Sequence, residues 1–407
     1  MPHQIDLIAI LVAGFGLALV FGYIATKFKA PPLVGYLAAG ILIGPTTPGF
    51  VGDPALAAQL AEIGVMLLMF GVGLHFSIKD LMAVKRVAIP GAILQILVAT
   101  AVGMAVALVW GKPLMGALVY GVCLSVASTV VLLRTLEARG LLLTDDGKLA
   151  VGWLVVEDLV MVLVLVLLPV AATVLPALAN GEQTGVALHV WLTIGVTLLK
   201  VLAFVVLMLV VGKRLLPWVL QRVAQTQSRE LFNLAVIAVA LGTAFLAAEV
   251  FDVSFALGAF FAGMMLRESD LSHRAAEESL PLRDAFAVLF FVSVGMLFDP
   301  MIVIKEPVAL LVTVAIVMFV KTGVAAAFVL LMRCPLRSAL RVSVSLAQIG
   351  EFSFILAGMG LSMALITPEA YSVILAAAFV SIALNTVLFG LIPKVAERLI
   401  LKFPSLS

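Results

Sequence analysis

Thirteen apolar runs, most of about twenty residues, follow one another along the chain. They fall near 5–26, 31–47, 55–75, 87–110, 113–134, 148–176, 187–212, 229–250, 253–267, 281–298, 308–332, 337–361 and 370–393, and only short Gly, Pro and charged stretches separate them. A run of that length spans a bilayer as a helix, because a helix satisfies its backbone N–H and C=O groups within one segment. The alternating ten-residue segments of a membrane β-barrel do not occur. With 64% hydrophobic and 12% charged residues, no water-soluble core can hide this apolar surface. The chain therefore reads as an all-α, multi-pass membrane protein of about 13 transmembrane helices whose first partner is the lipid bilayer. The second and ninth runs are short and glycine-interrupted, where transporter helices are often tilted or bent.

Charge sets the expected orientation. Basic residues cluster in the connections after odd-numbered runs, for example Lys85 and Arg86, Lys213 and Arg214, Arg333 and Arg337, and Lys394 and Arg398, whereas the opposite connections hold Lys112 and Lys305. Lys and Arg are retained on the cytoplasmic side of short loops, so the N-terminus is expected outside and the C-terminus in the cytoplasm. The first run lacks a basic flank and a small-residue cleavage site and reads as a retained helix. Cys123 and Cys334 sit at different predicted depths, which disfavours a disulfide. His3, His75, His189 and His273 form no metal-ligand spacing, and no phosphate-binding glycine loop occurs.

Sliding the sequence on itself by 222 or 223 residues aligns its halves. Gly35, Ala39 and Gly40 meet Gly258, Ala262 and Gly263, and Pro113, Leu114 and Ala117 meet Pro335, Leu336 and Ala339. Seven helices separate the paired elements, an odd number, so the second copy enters the membrane from the opposite face. The organisation is an inverted-topology repeat, with repeat 1 at about 5–176, a linking helix at 187–212 and repeat 2 at about 229–400. Such repeats place a site near the midplane, where discontinuous helices approach with opposed half-helix dipoles. The fifth run, with Ser125, Ser128 and Thr129, and the twelfth, with Gln348, Gly350 and Glu351, are the candidates for two crossing discontinuous helices. The alternative is that these hydroxyls bond back to carbonyls in intact helices.

The sixth run carries Glu157 and Asp158 in mid-membrane. Insertion scales charge roughly 2.5 to 3.5 kcal/mol for one central Asp, so two adjacent acids imply a partner or a role. Successive helical residues point about 100° apart, so the two carboxylates face different surroundings. Lys321, mid-way along the eleventh run, is the expected ion-pair partner of Glu157, leaving Asp158 free to exchange a proton for a cation. The plainer readings are a salt bridge that only fixes packing for the acids and snorkelling for the lysine. Glu351 reads first as compensation for a helix dipole and second as a direct ion contact.

VGWLVVEDLV, LSVASTVVLLRTLE, LAQIGEFSFILA and Lys321 together resemble the monovalent cation:proton antiporter-2 family, its Kef-type potassium efflux branch most of all, over essentially the whole chain. The resemblance implies a sodium/proton-antiporter-like fold, a core moving against a scaffold, and a homodimer. It implies that Asp158 binds the ion with Ser128 and Thr129 nearby, while Glu157 neighbours Lys321. Kef-type members typically have Gln-Asp where this chain has Glu-Asp, and they carry a cytosolic nucleotide-binding regulatory domain that these 407 residues do not include. Ser269 to Arg283 looks like the loop such a domain would contact, or else a solvated linker. The expected activity is exchange of a monovalent cation, potassium ahead of sodium, for protons by alternating access. A cation-selective channel and an ion-coupled symporter are the alternatives. The transported ion and protons are the only ligands expected, with no enzymatic activity, cofactor, further metal or nucleic-acid partner.

Overall fold

The computed structural model describes residues 3–28, 30–45, 47, 52–75, 78–142, 144–179, 185–251, 253–267, 269 and 271–402, nearly all of them helical. The side chains of His3, His75 and His189 lie outside this set. In chain order the helices are α1 His3–Lys27, α2 Pro32–Ile43, α3 Pro54–His75, α4 Ile78–Val109, α5 Leu114–Ser125, α6 Thr129–Ala138, α7 Asp145–Ala179, α8 Gly185–Leu207 and α9 Lys213–Ala224. There follow α10 Arg229–Phe251, α11 Phe255–Arg267, α12 Ser272–Met296, α13 Ile302–Lys305, α14 Pro307–Ala315, α15 Thr322–Leu331, α16 Leu336–Ser345, α17 Glu351–Ser362 and α18 Pro368–Lys402. Wider π-helical turns join α8 to α9 at Met208–Gly212 and α14 to α15 at Ile316–Lys321.

Among the described residues, seven helical stretches are long and apolar enough to cross a membrane alone, and four apolar helices are shorter. The shorter ones are α2, α5, α11 and α17. Two of them, α5 and α17, are halves of the fifth and twelfth runs, each of which divides into two helices (α5 and α6, α16 and α17) around a non-helical stretch. The stretch from Ser269 to Arg283 differs from the expected loop, because α12 already begins at Ser272. Two of its charges have partners along the helix surface, with Arg229 Nε 2.8 Å from Glu278 Oε2 and the Arg274 guanidinium 4.2 Å from the Phe232 ring centroid.

The described chain divides into two compact units. One comprises Met1–Ala18, Pro48–Ser77 and Val162–Met296. There α3 packs against both α11 and α12. The approach to α11 is backbone on backbone: a Cβ on Gly263 would overlap the Phe70 carbonyl oxygen, and one on Gly73 would overlap that of Phe260. Lipid provides no hydrophobic drive between helices, so close packing of small residues has to supply it. Gly263→Val is therefore expected to lower the melting temperature of the purified protein sharply, beyond the usual overpacking cost of about 1–3 kcal/mol, since the obstacle is backbone. A thermal scan in detergent checks this.

The other unit comprises Leu19–Thr47, Ile78–Met161 and Leu297–Ser407. Its core gathers Ala88 and Ala92 of α4, Trp153 and Leu154 of α7, Ala325 and Val329 of α15, Ala339 and Val342 of α16, and Phe389 of α18. The Trp153 and Phe328 rings meet edge to face at 6.1 Å. All the candidate ion-site residues, from Ser125 to Glu351, lie in this unit.

Candidate ion-binding site

In the fifth run the sequence CLSVAST stops one helix and starts another. The Ser125 hydroxyl donates to the Val122 carbonyl at 2.8 Å, Val126 turns extended (φ −111°, ψ 139°), and Ser128 Oγ accepts from the Val131 N–H at 3.2 Å. A serine accepting from the third residue of a helix is an N-cap, and it restarts the chain as α6. In the twelfth run α16 ends at Ser345, and α17 starts at Glu351 behind an extended Gly350 (φ −110°, ψ 178°). A Cβ on Gly350 would overlap the Ala127 carbonyl oxygen and crowd the Ser128 nitrogen, so the two breaks cross in direct backbone contact. The N-terminal ends of α6 and α17 both open onto this crossing, and their partial positive charge favours carboxylates there.

Glu157, Asp158, Lys321, Gln348 and Glu351 surround the crossing, each no more than 3% exposed. The two adjacent acids face different groups. Glu157 Oε2 accepts from the Ala127 N–H at 2.8 Å and Oε1 from the Gln95 amide at 2.6 Å. Gln95 also donates to the Ser125 carbonyl at 3.0 Å and accepts from the Trp153 indole N–H at 3.0 Å. Asp158 Oδ2 accepts from the Thr129 hydroxyl at 3.0 Å, and its Oδ1 has no hydrogen-bond partner among the described residues. Asp158 lies close enough to Glu351 and Glu157 to feel their charges. Glu351 lies near Ser128 and Thr129, but among the described residues neither of its carboxyl oxygens, nor Gln348 Oε1, has a partner of hydrogen-bonding geometry.

The expected charge partnership of Glu157 and Lys321 is an interaction at a distance and not a direct contact. Their charges interact, yet no N···O contact within 4.0 Å joins them among the described ion pairs. Lys321 Nζ instead donates to the Gln348 carbonyl at 2.6 Å. A helix broken in hydrocarbon frees backbone groups that must be met from within the protein, and each charge meets one of them. Lys321 ends the π-helical turn Ile316–Lys321, a local widening of the kind frequent at functional sites.

Four polar residues beyond those singled out in the sequence belong to this arrangement: Gln95, Trp153, Ser381 and Asn385. Ser381 Oγ accepts from the Ile349 N–H at 3.3 Å, and the Asn385 amide donates to the Val344 carbonyl at 2.6 Å. Gln95 and Asn385 are amides inside otherwise apolar runs, which is the signal that finds them, since a buried polar group in a membrane helix implies a partner.

Two half-helices crossing at mid-run, ringed by buried acids with unused oxygens and one lysine, define an ion-coupled membrane transporter. A family profile described as sodium/hydrogen exchanger, transmembrane, matches residues 15–394. The chain is 58% identical over 394 residues to YbaL of Escherichia coli (strain K12), a candidate cation/proton antiporter by its name, covering 97% of this chain and 70% of that protein. It is 33% identical over 395 residues to K(+) efflux antiporter 4 of Arabidopsis thaliana, covering 96% of this chain and 64% of that one. The sodium proton antiporter MjNhaP1 of Methanocaldococcus jannaschii superposes with a TM-score of 0.65 at 16% identity, over 97% of this chain and all of that one, which establishes the shared fold. The chain belongs to the sodium/hydrogen exchanger family, which consists of transporters and not of enzymes.

Proposed function

We propose that this chain exchanges potassium for protons by alternating access, with Asp158 holding the cation or the proton in turn. One observation carries the reading: a buried carboxylate with one oxygen on the Thr129 hydroxyl and the other unbonded, beside the unbonded carboxyl oxygens of Glu351. Alkali cations are bound by oxygens that replace their hydration shell, and these acids, Thr129, Ser128 and Gln348 supply such a set. Glu351 then serves as a second carboxylate at the ion as well as offsetting the dipole of α17. When the cation leaves, a proton neutralises Asp158, so the dry site never moves with a bare charge. Competition for one carboxylate makes the exchange obligatory. Potassium is preferred over sodium here on the name of the Arabidopsis relative. The resemblance and the loop charges support a homodimer in a bacterial inner membrane, N-terminus outside and C-terminus cytoplasmic, and a cytosolic regulatory domain as partner.

The test is proton movement across sealed vesicles holding the purified protein, with potassium and sodium run in parallel. Because the ligand must be deprotonated to take a cation, the half-saturating potassium concentration is expected to rise about tenfold for each unit by which pH falls on the acidic side of the profile. Cation flux unaccompanied by protons would replace exchange with a channel. A pH-independent half-saturation would remove the competition.

A further inference from the structure

Each break frees a carbonyl and an N–H in the dry interior, and the structure meets both sets in the same way. At the first break Gln95 of α4 donates to the Ser125 carbonyl, and Glu157 of α7 accepts from the Ala127 N–H. At the second, Lys321, ending the π-helical turn before α15, donates to the Gln348 carbonyl, and Ser381 of α18 accepts from the Ile349 N–H. The donor comes from the helix before the broken run and the acceptor from the helix after it in both cases. The bonded main-chain groups are related by the offset of the internal repeat, and the side chains that bond them by nearly that offset. Ser125 and Gln348 are 223 residues apart, Ala127 and Ile349 222, Glu157 and Ser381 224, and Gln95 and Lys321 226.

We infer that Gln95 and Ser381 are positioning residues, equivalent members of two repeat-related clamps that hold the broken segments at the ion site. The clamps share geometry and differ in charge. The first pairs a neutral amide with an anion, the second an ammonium with a neutral hydroxyl. Their charges offset each other across the crossing, and Asp158 is left as the acid of the 157–158 pair available to an ion. Glu157 is on this account a brace, both its oxygens engaged by the donors Gln95 and Ala127. Ser381 is shaped for its part: its own proton goes to the Ala378 carbonyl at 3.0 Å, which leaves the oxygen's lone pairs for Ile349. The inference rests on the proposal that Asp158 carries the ion, so its test also reads the clamps themselves.

The experiment uses the full chain in lipid nanodiscs for amide hydrogen exchange and in vesicles for transport. Ser381→Ala is expected to speed exchange about tenfold over 346–350, the loss of one buried hydrogen bond, and to raise half-saturating potassium several-fold. Ser381→Thr, which keeps the hydroxyl, restores both. Gln95→Leu is expected to act likewise over 125–128. Should that variant fail to fold, the exchange Gln95→Lys with Lys321→Gln takes its place: it is expected to retain at least tenfold more transport than Lys321→Gln alone. Ser381→Ala with native amide exchange and native half-saturation overturns the inference, as does a swap no better than the single variant. If the native protein moves no protons, the transport reading fails while amide exchange still decides the clamps.

Discussion

Replacing Asp158 by Asn is expected to reduce cation-driven proton movement to the vesicle background while the protein folds as well as before. Asn keeps the shape and an oxygen for the Thr129 hydroxyl, which now bonds Asp158 Oδ2 at 3.0 Å. It loses the proton site and the charge. Removing one partner of a buried ion pair costs about 3–5 kcal/mol, and each 1.4 kcal/mol is tenfold in affinity, so the cation-bound state becomes at least ~100-fold rarer. Folding pulls the other way, because a buried neutral amide costs less than an uncompensated carboxylate. The signature is therefore lost transport with an equal or higher melting temperature, read on one preparation. Undiminished exchange would end the assignment of Asp158. The same change at Glu157 is a different experiment, since both its oxygens accept and an amide there sets a donor against a donor.

The fold was legible because hydrocarbon leaves few choices. Runs of spanning length imply helices, and the chain adopts the fold of MjNhaP1 at 16% identity. The two breaks were legible from Ser125, Ser128 and Thr129 in one run and Gln348, Gly350 and Glu351 in its repeat mate, since polar clusters inside apolar runs mark interrupted backbone. What the sequence hides is how freed backbone groups are met. An ammonium opposite a carboxylate invites an ion pair, yet Lys321 and Glu157 each bond a main-chain group nearer at hand. Gln95 and Ser381 look like isolated polar residues until the crossing brings the Ser125 carbonyl and the Ile349 N–H to them. The start of α12 at Ser272 was hidden for a different reason: hydropathy marks where a helix enters lipid, and this one continues beyond it through a charged segment in which Glu278 pairs with Arg229.

Gly350→Val is expected to cost both transport and stability, and the reason is the crossing itself. Gly350 lies against the Ala127 carbonyl and the Ser128 nitrogen, so even a methyl group overlaps main chain that no rotamer change can move. Valine must push the breaks apart, drawing Gln348 Nε2 from the Ser128 carbonyl, now at 3.5 Å, and Glu351 from the Ser128 and Thr129 hydroxyls. A misplacement of about 1 Å at a reacting group can cost ~100-fold in rate. Gly350→Ala should therefore already raise half-saturating potassium, with a loss of roughly 1–3 kcal/mol in stability, and Gly350→Val should leave no measurable exchange. Gly358 is the control on the same helix, because a Cβ there meets nothing within 4 Å. Gly358→Ala should match the native protein in transport and melt slightly higher, as alanine suits a helix interior better than glycine. If Gly350→Ala behaved like Gly358→Ala in vesicle transport and in a thermal scan, the ion site would not depend on the two breaks touching.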